Sequence, residues 1–233
     1  MVSMAFVVAT GVAQSGDREI LGFDIGLSEE TAFWTAFLRD WVARGLRGVQ
    51  LVISDAHTGL QAAIRQVLQG SSWQRCRVHF MRNLLVHIPK KAQTMVSARV
   101  RTIFAQPDQD TARAELGRVA DHLAERFPKA SALPSDAEPD ILAYMSFPSE
   151  HWKPMASTNP LERLNRDMGR RADVVGIFPN RAAALRLVGA VWMEYNDEWA
   201  ALPRRYFRHT SMAKLETGAN APDELRDTQR QLA

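Results

Sequence analysis

A chain of 233 residues with 46% hydrophobic and 24% charged residues has the balance of an ordinary globular protein, long enough to bury a core without covalent staples. Its single cysteine, Cys76, excludes an internal disulfide and fits a reducing, cytoplasmic setting. No stretch approaches the roughly 20 apolar residues of a membrane span, the apolar start lacks the basic flank of a secretory leader, and a net charge of +3 is common among enzymes of many kinds.

Two strand-like runs come first, Met4 to Val12 and Glu19 to Ile25, with turn chemistry (Gln14-Ser15-Gly16-Asp17) between them, so the opening reads as a hairpin. Ser28 is placed to cap a helix, with Glu29 and Glu30 in its first turn and Gly45 as its stop. Phe33, Phe37, Trp41 and Val42 mark the expected apolar face of that helix. Val49 to Ile53 is a continuous apolar run ending in Ser54-Asp55, the pattern of a strand covered on both faces in an α/β sheet. A helix from about Thr58 to Leu68 and a short run from Gln74 to Phe80 follow. From there to Ser157 the periodicity is helical, punctuated by Pro128, Pro134, Pro139, Pro148 and Pro154. Another helix opens at Thr158-Asn159-Pro160. A last long one runs from Arg181 to Trp199 with Leu185, Val188, Trp192, Tyr195 and Trp199 on one core stripe, and the tail beyond Ala213 is polar. The expected organisation is therefore α/β: residues 1–80 begin a catalytic-type domain, 81–157 form a helical insertion, 158–212 complete the domain, and 213–233 are tail.

The residues able to do chemistry are few. Asp55 stands at the carboxyl end of an apolar strand, where α/β sheets open a ligand crevice, and reads either as a hard-metal ligand or as a turn-forming or capping residue. Glu162 reads either as the capping-box partner of Asn159 or as a second metal-ligating carboxylate. Arg163, Arg166, Arg170 and Arg171 surround it, which suits a site that holds phosphodiesters. Between Asp55 and Asp108 there is no acid at all, whereas Arg65, Arg75, Arg77, Arg82, Lys90, Lys91, Arg99 and Arg101 all fall there. Such a segment carries a positive field, open to a solvated basic face or to a nucleic-acid backbone. Cys76 and His79 form a C-x-x-H pair; structural zinc normally takes four ligands and no second cysteine exists, so the pair reads as packing beside the site, with zinc the lesser alternative. Neither G-x-G-x-x-G, a P-loop nor G-x-S-x-G occurs.

Three blocks together resemble one family. Leu51 to Leu60 around Asp55 is similar to the second-aspartate block of Mutator-type bacterial insertion-sequence transposases (DDE family). Trp73 to Asn83 is similar to that family's C-x-x-H block, and Ser157 to Arg166 resembles the block of its catalytic glutamate. Arg170-Arg171, Val175 to Pro179 and Arg186 to Val188 continue the match, which extends to about Phe207.

The resemblance implies a ribonuclease H-like mixed sheet with an α-helical insertion, cutting transposable-element ends and joining them to target DNA. It implies two Mg²⁺ (or Mn²⁺) ions held by two aspartates and a glutamate, of which Asp55 and Glu162 are the matching positions here. Arg75, Arg77, Arg82, Arg163, Arg166, Arg170 and Arg171 would face DNA, and Cys76 and His79 would lie structurally near the site. The family's first aspartate falls on a first strand upstream of the hairpin, and neither Asp17 nor Asp24 replaces it. The expectation is thus an N-terminally truncated copy, inactive alone, acting as a homo-oligomer or pairing with full-length transposase. The alternatives are a non-catalytic DNA-binding or inhibitory remnant, and an unrelated metal-dependent nuclease.

Overall fold

The computed structural model describes residues 5–26 and 30–216, with side-chain surroundings described for 6–26 and 30–215. It is a mostly helical α/β chain that separates into two compact units. The first holds the described residues up to 50 together with 57–71 and 159–216; the second holds 51–56 and 72–158.

The hairpin that opens the first unit is present. Strand β1 (Ala5–Val12) pairs antiparallel with β2 (Arg18–Gly26), with a bulge between Ala9 and Thr10. Gly16 makes the turn at φ +88°, a conformation costly for any residue with a Cβ. Ala13 N–H then donates to the Asp17 carbonyl at 2.9 Å. Three helices of this unit follow in sequence and space: α1 (Thr31–Ala43), α2 (Thr58–Val67) and, much later, α8 (Asn159–Val175). The long helix α9 (Arg181–Ala200) and the short α10 (His209–Glu216) complete it.

Helix α9 behaves as its stripe predicts. Asn180 caps it, its side chain accepting from Ala183 N–H at 2.8 Å, and Val188 and Trp192 point into the core. They meet Val8 and Ile25 of the hairpin and Leu164 and Met168 of α8. Each large apolar side chain fully buried there contributes roughly 1.5–3 kcal/mol. Helix α1 differs from expectation in rotation. Trp34, Phe37, Leu38 and Trp41 are buried, while Val42 is 42% exposed. Apolar residues occur on both sides of the Phe37–Trp41 line, and packing against α2 and β2 selects the side that carries Trp34 and Leu38. Ser28 and Glu29 lie outside the described residues; Glu30 occupies the cap position without a side-chain cap bond. Gly45, at φ +109°, ends the helix as expected.

In the second unit β3 (Leu51–Ser54) pairs in parallel with β4 (Ser72–Arg75), Leu51 opposite Ser72 and Ser54 opposite Arg75. The apolar run of β3 was expected to be covered on both faces, yet all four residues are half-buried and, among the described strands, β4 is its one neighbour. The described strands therefore form two separate two-stranded sheets.

Helices α3 (Arg77–Val86), α4 (Lys90–Arg101), α5 (Gln109–Ala124), α6 (Pro128–Ile141) and α7 (Ser149–Met155) make up the rest of this unit. Asp108 caps α5, its Oδ1 accepting from Thr111 N–H at 2.8 Å. The prolines do not all separate elements: Pro134 and Pro139 lie inside α6 and Pro154 inside α7. Burial of Ala130, Pro134, Ala137 and Ile141 along α6, which packs on α5, outweighs an intrinsic penalty of roughly 3 kcal/mol per helical proline. No helix among the described residues is long and apolar enough to cross a membrane.

Candidate active site

The carboxyl end of β3 and the start of α3 converge in the second unit. Cys76 N–H donates to the Ser54 carbonyl at 2.8 Å, extending the β3–β4 pairing by one step. Trp73 Nε1–H donates to Ser54 Oγ at 2.8 Å and thereby holds the residue just before Asp55. Gln74 is fully buried under this junction: its Oε1 accepts from Tyr144 N–H at 2.9 Å, and its Nε2 donates to the carbonyls of Arg75 and Ile141. A buried amide satisfied on both sides costs little, whereas the same amide unpaired is expensive, so Gln74 fixes the strand-to-helix corner against the helical part of the unit.

On that frame Asp55 stands with its side chain 53% exposed, and His79 Nδ1 lies 2.6 Å from its Oδ1. The same nitrogen is 3.1 Å from Cys76 Sγ, while His79 Nε2 is 3.2 Å from Nη1 of Arg82. A guanidinium can only donate, so Nε2 accepts from Arg82 and Nδ1 is the donor side of the ring, hydrogen-bonded to Cys76 Sγ and 2.6 Å from Asp55 Oδ1. Cys76 is wholly buried and receives further donors from Thr158, whose N–H and hydroxyl lie 3.4 and 3.3 Å from Sγ. The oxygen, nitrogen and sulfur of Asp55, His79 and Cys76 all lie within 4.8 Å of one another.

Of the two readings of Asp55, helix capping is taken by another residue. His57, not Asp55, caps α2, its Nδ1 accepting from Leu60 N–H at 3.2 Å. Sequence reasoning missed this because histidine is an uncommon cap. It also missed Thr158 and Gln74, whose partners lie 82 and 70 residues away.

Glu162 belongs to the other unit, half-buried in the first turn of α8. That helix starts at Asn159 itself, so Asn159 is its first residue rather than the expected cap. The arginines around Glu162 divide in two. Arg170 and Arg171 are committed to ion pairs, Arg170 with Asp167 at 2.8 Å and Arg171 with Glu194 at 2.8 Å and Asp167 at 3.4 Å. Arg163 and Arg166 are exposed and carry no ion pair among the described residues. The basic residues after Asp55 divide likewise. Arg75 stacks over Phe80 at 5.3 Å and Arg77 over Phe104 at 5.0 Å, and burial lowers the Arg75 guanidinium from its usual value. Arg82 is exposed beside His79. The two aspartates set aside earlier are engaged elsewhere: Asp17 accepts from Ser15 Oγ at 2.7 Å, and Asp24 pairs with Arg181.

An exposed carboxylate at a strand end, beside an imidazole nitrogen 2.6 Å away, offers a hard oxygen donor of the kind Mg²⁺ and Mn²⁺ prefer. Glu162, in the other unit, offers the same hard-oxygen donor chemistry.

Comparison with known proteins points to one family. A family described as Transposase, Mutator family, matches residues 1–201. The transposase for insertion sequence element IS1081 of Mycobacterium tuberculosis is 44% identical over 224 residues, 96% of this chain and 54% of that protein. The transposase for insertion sequence element IS256 in transposon Tn4001 of Staphylococcus aureus is 41% identical over 208 residues, 88% of this chain and 53% of that protein. The transposase for insertion sequence element ISRM5 of Rhizobium meliloti is 38% identical over 199 residues, 85% and 50% of the two chains. The chain spans about half the length of these curated relatives.

Proposed function

This chain belongs to the Mutator family of transposases, and we propose that it carries Asp55 and Glu162 as metal-ligating carboxylates of a DNA cleavage and strand-transfer site with a ribonuclease H-like plan. The observation that carries this reading is Asp55 itself: exposed at the end of β3, not used as a cap, and oriented through Oδ1 by His79. Divalent metals bound there would activate the attacking oxygen and stabilise the leaving one. The chain's own residues supply the rest. His79 holds the Asp55 carboxylate in one orientation, and Gln74 and Trp73 hold the corner from which both project. Arg163 and Arg166 are exposed and, with no ion pair to a carboxylate among the described residues, available to phosphates. The substrate is DNA at the ends of an insertion element and at its target.

The test is Mn²⁺-dependent nicking and strand joining on a supercoiled plasmid carrying the element ends. It is run with the 233-residue chain and with the same chain extended by the coding sequence upstream of Met1. In whichever form cuts, Asp55→Ala and Glu162→Ala each lower the rate on the order of 10²–10³-fold or more, the loss expected when one preorganised electrostatic group is removed. Cutting that persists in either variant overturns the assignment. DNA binding with no cutting in both forms overturns the catalytic reading altogether.

A further inference from the structure

The Asp55–His79–Cys76 cluster contains a sulfur that Mg²⁺ chemistry does not use. We propose that these three residues form a site for a thiophilic divalent cation of the Zn²⁺ class, able to bind to this chain in the absence of DNA. Cys76 Sγ, His79 Nδ1 and a carboxylate oxygen of Asp55 form an N, S, O donor set typical of zinc with an open fourth position. With metal–ligand bonds of roughly 2.0–2.3 Å in tetrahedral geometry, such donors stand about 3.4–3.6 Å apart. Here Nδ1 is 2.6 Å from Asp55 Oδ1 and 3.1 Å from Sγ, and no pair exceeds 4.8 Å, so displacements of about an ångström suffice.

Two features favour a cation over simple packing. The sulfur is buried yet faces donors from Thr158, the outer-shell arrangement that steadies a ligating thiolate. And Asp55 Oδ1 and Cys76 Sγ both face His79 Nδ1, at 2.6 and 3.1 Å, so the three donor atoms already converge on one point that a soft cation can take. The exchange balances without redox chemistry. Cys76 loses its S–H proton to solvent, the Nδ1 proton passes through solvent to Nε2, and S–metal, N–metal and O–metal bonds form. Arg82 opposes this, because its Nη1 donates to Nε2 and must swing away once Nε2 carries hydrogen. Binding takes the oxygen that Mg²⁺ would need from Asp55, so the same site both recognises zinc-like metals and withholds the carboxylate from hard ones.

Titrating the purified 233-residue chain with Co²⁺ tests this without DNA or catalysis, so its outcome is separate from that of the functional assay. A near-ultraviolet sulfur-to-cobalt charge-transfer band and the intense visible bands of a four-coordinate ion are expected at one Co²⁺ per chain, both bleached by Zn²⁺. Cys76→Ser removes the charge-transfer band. His79→Ala and Asp55→Asn each weaken binding by roughly 10–100-fold or more, at least what loss of an outer-shell partner costs a metal site. Arg82→Met tightens it. Circular dichroism confirms that each variant is folded; where Cys76→Ser is not, Asp55→Asn, at an exposed position, decides the matter. No charge-transfer band in the intact chain, a band that survives in Cys76→Ser, unchanged affinity in Asp55→Asn, or displacement of Co²⁺ by an equal concentration of Mg²⁺ overturns the proposal.

Discussion

His79 Nδ1 lies between two partners, 2.6 Å from Asp55 Oδ1 and 3.1 Å from Cys76 Sγ, while Arg82 Nη1 stands 3.2 Å from Nε2 at the far side of the ring. A ring nitrogen this close to one carboxylate oxygen restricts the rotamers open to Asp55, whose side chain is otherwise 53% exposed.

Replacing the ring therefore separates orientation from bulk. Asparagine can put an amide N–H near the place of Nδ1; alanine cannot. His79→Ala weakens Mn²⁺ binding, read by electron paramagnetic resonance, by roughly 10–100-fold, the usual effect of losing an outer-shell partner. His79→Asn retains most of the affinity. Equal losses in both variants would mean that His79 acts by filling space.

The corner behind Asp55 depends on one buried amide. Gln74→Leu conserves most of the volume but leaves the Tyr144 N–H and the Ile141 carbonyl without their partner. Each unsatisfied buried group costs about 1–3 kcal/mol, so the denaturant midpoint falls clearly with little change in the slope of the transition. An unchanged midpoint would show that water replaces Gln74 without loss.

Neither of these contacts could be read from the chain, and the reason is distance along it. Gln74 meets Tyr144 and Cys76 meets Thr158 across 70 and 82 residues, through side chains whose types are unremarkable. The hairpin and α9 were legible because their signals are local: turn residues between two β-rich runs, and a repeat of apolar residues at helical spacing. Helix α1 was legible as a helix but not in its rotation, since Phe33, Trp34, Phe37, Leu38, Trp41 and Val42 make a broad apolar arc and tertiary packing chose the part to bury. Asp55 stood out because an apolar strand ends beside it. The division of the arginines did not, because stacking on Phe80 or Phe104 and pairing with Asp167 or Glu194 depend on neighbours brought in by folding.

Asp167 provides a pH signature in the first unit. The Tyr195 hydroxyl, donating at 2.9 Å, and then Arg170 hold its carboxyl below the ordinary value of 3.8. A group whose folded pKa is depressed stabilises the fold fully above its unfolded pKa and loses that contribution as pH falls through the folded value. Thermal melts of the intact chain and Tyr195→Phe should differ most at neutral pH, with Tyr195→Phe the less stable, and converge as the pH drops below about 4. A difference that stays constant down to pH 2 would assign the loss to packing around Tyr195 rather than to Asp167.

The arginines of α8 give the sharpest test of a DNA-facing surface, because their internal commitments differ. Arg170 and Arg171 already satisfy Asp167 and Glu194, so a phosphate must compete with carboxylates 2.8 Å away. Arg163 and Arg166, with no such pair among the described residues, lose only hydration and side-chain freedom when they bind. On a plot of log affinity against log salt concentration, each phosphate contact contributes a slope of about −0.9 for duplex DNA. Arg163→Ala and Arg166→Ala should each make the slope shallower by about that amount and weaken binding to all sequences alike. Arg170→Ala should change it less, while lowering thermal stability through the loss of its partner to Asp167. If Arg170→Ala flattens the salt dependence as much as Arg166→Ala does, the ion pairs open on binding and the whole arginine face of α8 engages the backbone.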